Sequence, residues 1–96
     1  MKSNKLRKSA QGQRCTMNVA RVCNYNPETT VLAHINTMGG CMGGKSPDYS
    51  AVFACNSCHD WLDKHEGSEL DELFYTRRAL VRTWEEWLKM GLIKIE

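Results

Sequence analysis

The stretch CNSCHDWLD, residues 55–63, decides how this chain is read. Two thiols three positions apart are followed at once by a histidine and, four residues later, by a carboxylate. In a chain without a secretion signal, a C-x-x-C pair reads first as half of a zinc site. Thiolates hold zinc at about 2.3 Å in a tetrahedron, and this spacing lets both sulfurs reach one ion. If the chain turns helical at Cys58, then His59 and Asp63 sit at i and i+4 on one face. The expected unit is a metal-pinned helix start that presents an imidazole and a carboxylate side by side.

A four-ligand site needs two further donors. Cys15 and Cys23 bracket a strand-like segment, CTMNVARVC, and would complete an all-thiolate set with Cys55 and Cys58. Cys41, in a glycine-rich loop, is the alternative ligand, and His65 is a more distant one. Five cysteines is an odd number, so metal binding explains them better than a disulfide framework. A structural zinc would also stabilise a 96-residue chain, which has room for one modest core.

Composition narrows the class. At 42% hydrophobic and 25% charged the chain is a folded globular domain, not a disordered one. It lacks an apolar run long enough for a signal peptide or membrane span, so a cytoplasmic location with no membrane partner is expected. The net charge of +2 hides an asymmetry. Residues 1–45 hold seven Lys/Arg against one acid, and residues 46–96 hold six against ten. The first fourteen residues are a basic arm, and Lys5, Arg7, Lys8, Arg14, Arg21 and Lys45 are candidate contacts to a polyanion.

Working outward, TTVLAHI (29–35) is the best strand, with His34 near its end. Asn26–Pro27 before it suits a cap and first position of a single helical turn. NTMGGCMGGKSP (36–47) is a loop, and DYSAVFA (48–54) reads as a second strand running into Cys55. Gly67 closes the short helix and Ser68 caps a long one over 68–90, which Gly91 ends. Its apolar positions, Leu70, Leu73, Phe74, Leu80, Val81, Trp84, Trp87 and Leu88, define one broad stripe for core or homodimer packing. Residues 39–46 (GGCMGGKS) fit a phosphate-loop pattern. Pro47 and Asp48 follow where that loop needs a helix, so it is set aside.

A histidine at a strand end, a loop, a second strand and then C-x-x-C-H at a helix start resembles the HNH nucleases. These are zinc-supported members of the His-Me finger, or ββα-metal, superfamily. VLAHI (31–35) and ACNSCHDWLD (54–63) carry the likeness. More narrowly, the run RCTMNVARVCNYNPETTVLAHI, the loop and the tail WLKMGLIKI resemble the prophage-encoded YbcO-type nuclease family. The resemblance implies an α+β fold with a small zinc-stabilised, treble-clef-like ββα-metal core over residues 15–66 and a long C-terminal helix. It implies one domain over residues 1–96.

The same resemblance implies roles. His34 matches the general base, and His59 matches a metal ligand. Asp63 falls where some members carry another metal-binding histidine. Many members have an asparagine five residues before the first cysteine, where this chain has Ser50. Asp48, two residues earlier and expected on the same strand face, is the candidate stand-in that positions His34. Many members also have an acid before the first histidine, where Ala33 stands here, so Asp63 would have to compensate. The implied activity is a metal-dependent DNA endonuclease with magnesium or another divalent ion beside the structural zinc. The rivals are a non-catalytic zinc module that binds nucleic acid and an adaptor using the Trp84/Trp87 stripe.

Overall fold

Side-chain alternation along two short strands gives the fold two cores. In the antiparallel hairpin of β1 (Val31–His34) and β2 (Ala51–Ala54), Leu32 faces Phe53 across the ladder and Ala33 faces Val52. Successive side chains of a strand point to opposite faces. Leu32 and Phe53 therefore join one cluster with Leu6, Ala10 and Trp87. Ala33, Val52 and Ala54 join the other, with Cys15, Met17, Cys55, Cys58 and Trp61. The computed structural model describes residues 4–35 and 47–94. Among these, no helix is long and apolar enough to cross a membrane.

Three helices frame the hairpin. In α1 (Asn4–Ser9), Leu6 is buried, so much of the expected basic arm is docked on the core. A single 3₁₀ turn at Pro27–Thr29 precedes β1, with the Asn26 side chain accepting from the Glu28 amide, as its Asn-Pro start predicts. In α2 (Asn56–Asp63) the first residue lies two positions before the expected start, because Cys55 itself is the N-cap and its sulfur accepts from the Cys58 amide. In α3 (Glu69–Met90) Ser68 caps the N-terminus and Gly91, at φ +74°, ends the helix. The Leu92 amide bonds back to the Trp87 carbonyl at 2.9 Å, closing a Schellman turn.

Two expected elements differ. Residues 15–23 form bends and turns instead of a strand, because Asn18 and Arg21 adopt positive φ of 46° and 66°. Thr16 hydrogen-bonds to β2, its amide and hydroxyl both donating to the Phe53 carbonyl at 2.7 and 2.8 Å. The Thr83 hydroxyl accepts from the Phe53 amide at 3.1 Å, so side chains satisfy the edge that a third strand would have covered. Gly67 does not close α2, which ends at Asp63 with Lys64 as its cap. Its role is clearance, since a Cβ there would overlap the Trp61 ring.

The face of α3 that meets the core is also narrower than the predicted stripe. Ala79, Thr83 and Trp87 are buried, and Tyr75 and Leu80 are half-buried. Leu70, Leu73, Phe74, Val81, Trp84 and Leu88 are exposed. Ala79 and Thr83, in an i, i+4 row with Trp87, let the helix approach β2 closely, and of the predicted stripe only Trp87 is buried there, with Leu80 half-buried. Trp87 packs edge-on against Phe53, with centroids 5.9 Å apart, and donates to Ser9 Oγ at 2.7 Å. Trp87→Ala is expected to cost about 3–5 kcal/mol through the cavity it leaves. Urea denaturation, read as a lower midpoint, checks it.

Candidate metal centre and histidine–aspartate pair

The sulfurs of Cys15, Cys23, Cys55 and Cys58 all lie within 4.8 Å of one another. The Cys23 and Cys55 sulfurs are 3.8 Å apart, the edge of about 3.8 Å that a tetrahedral zinc–thiolate site requires. Turns create this convergence. Left-handed Asn18 folds the chain so that its amide donates to Cys15 Sγ at 3.5 Å, while its side-chain amide reaches Cys23 Sγ at 3.6 Å. From the other side, the Cys58 amide donates to Cys55 Sγ at 3.4 Å. Asn24 ties the two halves, donating to Asn56 Oδ1 at 2.6 Å.

Charge is already distributed for a metal. Cys15 is lowered to about 5, first because the Cys58 thiol donates to its sulfur. Cys58 is pushed up as the donor of that bond, and burial pushes Cys23 up. Metal binding would have to displace the protons that the raised Cys58 and Cys23 retain. None of the four is in a disulfide. The donor set fits zinc, and it is the set expected from the sequence. Cys41 lies outside the described residues. His65 stands apart from the sulfurs, pairing with Glu72 at 3.2 Å.

At the end of β1, His34 Nε2 lies 2.7 Å from Asp48 Oδ1. Asp48 is buried at 1% exposure, in a turn before β2 and not on the strand face expected for it. Its other oxygen accepts from Arg7 Nε at 3.1 Å. An Arg-paired carboxylate only accepts hydrogen bonds, so the His34 proton belongs on Nε2 and the lone pair on Nδ1. Ser50 Oγ donates to the Ile35 carbonyl at 3.0 Å and fixes the chain just beyond His34. The Arg7–Asp48 link spans 41 positions, and nothing in the sequence signalled it. Arg7, a candidate nucleic-acid contact by sequence, keeps 47% of its side chain exposed while it pairs with Asp48.

His59 and Asp63 share one helix face as expected, with Nε2 and Oδ2 3.3 Å apart and both side chains partly exposed. Among the described residues, however, the cysteine set is the group of three or more ligand atoms that converges. Neither His34 nor Asp48 joins the His59–Asp63 pair in such a group. Lys5, Lys8, Arg14 and Arg21 are exposed. Lys45 lies outside the described residues.

Fold and site together define a small α+β protein in which four cysteines converge at the base of a helix, close enough to hold a metal ion. Residues 4–92 match the family described as "Putative nuclease YbcO", and the chain belongs to that family. It is 43% identical over 94 residues to the "Putative nuclease YbcO" of Escherichia coli K12, covering 93% of this chain and 96% of that one. The same identity and coverage relate it to the "Putative nuclease ybcO" of Enterobacteria phage 82. A solved "putative bacteriophage protein" from E. coli K-12 MG1655 superposes with a TM-score of 0.75 at 38% identity. That match covers 91% of this chain and all of the other.

Proposed function

We propose that this protein is a metal-dependent DNA endonuclease of the HNH type, working in a reducing cytoplasm. The observation that carries the reading is the His34–Asp48–Arg7 chain, with the buried carboxylate on the histidine's Nε2. His34 Nδ1 takes a proton from water as the water oxygen bonds to phosphorus and the P–O3′ bond breaks. Asp48 holds the imidazole in the required tautomer and offsets the positive charge it gains. Cys15, Cys23, Cys55 and Cys58 would hold zinc, which when bound would tie the start of α2 to the turns of residues 15–23. His59 and Asp63 would hold magnesium or another divalent ion, which when bound supplies charge stabilisation at the phosphate and the leaving oxygen. Exposed Lys5, Lys8, Arg14 and Arg21, with Lys45, supply sequence-independent backbone contacts.

The test is plasmid nicking by zinc-loaded protein with and without added magnesium. Cleavage is expected only with magnesium, and His59→Ala is expected to raise the magnesium needed for half-maximal rate. Absence of magnesium-dependent cleavage in the wild type, together with salt-sensitive DNA binding that survives loss of His34, would favour the non-catalytic accessory reading.

A further inference from the structure

Beside the four-cysteine centre, Arg14, Arg78 and Arg82 line a hollow of about 580 Å³ with Asn18, Tyr25 and Pro27. That volume lies in the range of clefts that enclose a small ligand. None of the three arginines pairs with a carboxylate among the described residues, although residues 46–96 hold ten acids. Two of them are held in place by the metal-binding turn. Arg78 Nη2 donates to the Met17 carbonyl at 2.7 Å, and Arg82 Nη1 donates to the Thr16 carbonyl and to Asn18 Oδ1 at 3.3 and 3.1 Å. These bonds engage one nitrogen of each guanidinium and fix its plane, with Arg78 Nε buried. Arg78 also stacks over the Phe74 and Tyr75 rings, at 5.1 and 5.2 Å, and Glu85 and Glu86 stand beside Arg14 and Arg82 on the adjoining surface. A braced guanidinium cluster with no carboxylate in a salt bridge suits the planar, bidentate recognition of phosphate.

Tyr25 adds the second chemistry. It is 73% exposed and sits at φ +57°, a conformation that residues with a side chain seldom adopt. Its turn is fixed, since the Asn26 amide donates to Asn24 Oδ1 at 2.8 Å and Asn24 is tied to Asn56. A large aromatic ring is thus displayed from a braced backbone at the rim of a basic hollow. We propose that this hollow binds single-stranded nucleic acid, with Arg14, Arg78 and Arg82 on the phosphates and Tyr25 stacked on an unpaired base. Stacking of this kind needs a base whose face is open, which a closed duplex does not offer. The proposal shares Arg14 with the hydrolytic reading and goes beyond it by adding Arg78, Arg82, Tyr25 and a strandedness, and it holds whether or not His34 cleaves.

Fluorescence anisotropy with labelled dT15 and a 15-base-pair duplex, without magnesium and at several salt concentrations, tests it on the zinc-loaded full chain. Arg14→Ser is expected to weaken dT15 binding at least threefold and to flatten the salt slope by about 0.7, one single-strand phosphate contact. Tyr25→Ala is expected to weaken dT15 binding about fivefold or more, leaving the salt slope and the duplex affinity unchanged. Tyr25→Trp restores it. Both side chains are exposed, so zinc content and melting midpoint serve as controls for intact folding. Failure to bind dT15, a loss under threefold in either variant, or an equal loss on duplex for Tyr25→Ala would overturn the proposal. Plasmid nicking in the same variants scores hydrolysis separately.

Discussion

Cys58→Ser is expected to leave a chain that holds less than about one-tenth of an equivalent of zinc and loses its cooperative thermal transition. The four sulfurs join the turns of residues 15–23 to the start of α2, at the buried side of one core. Zinc held by such a set contributes on the order of 10 kcal/mol in small zinc-dependent domains, comparable to the whole stability of a domain this size. Strong chelation of the wild type should give the same result, followed by loss of near-ultraviolet circular dichroism. The pH dependence has a definite sign. Cys58 and Cys23 are raised and must lose protons on binding, so affinity rises with pH and falls on acidification. The fall should be about tenfold per pH unit for each proton released. A Cys58→Ser protein with one zinc and a wild-type melting midpoint would remove the metal centre from the account.

His34→Ala is expected to lower the rate of magnesium-dependent cleavage by about 10²–10⁴, the range for loss of a general base. Its KM for DNA should move little, because the imidazole acts on water and not on the nucleic acid. Added imidazole should recover part of the rate, which a merely structural role for His34 would not allow. Asp48→Asn keeps the shape of the buried side chain but removes the charge that faces His34 and Arg7. A loss of about 10–100-fold in kcat at constant KM is expected there, without imidazole rescue, because the base is still present but no longer oriented. If Asp48→Asn instead changes only the melting midpoint, the carboxylate is a packing element and the mechanism loses its positioning residue.

The metal centre was legible because its chemistry is local and rare. C-x-x-C at a helix start and a second cysteine pair are signals carried by residue type and spacing alone. The caps at Asn26 and Ser68, the Gly91 stop and the hairpin were legible for the same reason, since each depends on a few adjacent residues. The strand assigned to residues 15–23 failed because β-branched residues and cysteines raise strand propensity, whereas the left-handed turns at Asn18 and Arg21 serve the sulfurs. The α3 stripe failed because hydrophobicity weights Leu and Trp over Ala79 and Thr83, the small residues that fit against β2.

Sequence alone thus pointed to the four cysteines that converge, with Cys41 as the alternative, and to the β–β–α order and the His59–Asp63 face, all set by spacings of a few residues. Only the tertiary structure decided that Arg7 and Asp48 meet at His34, that Tyr25 and three arginines surround one hollow, and which side of α3 is inside. The physical reason is that contacts across tens of residues are chosen by how the two faces of the hairpin pack against α1, α2 and α3. No local pattern records that packing.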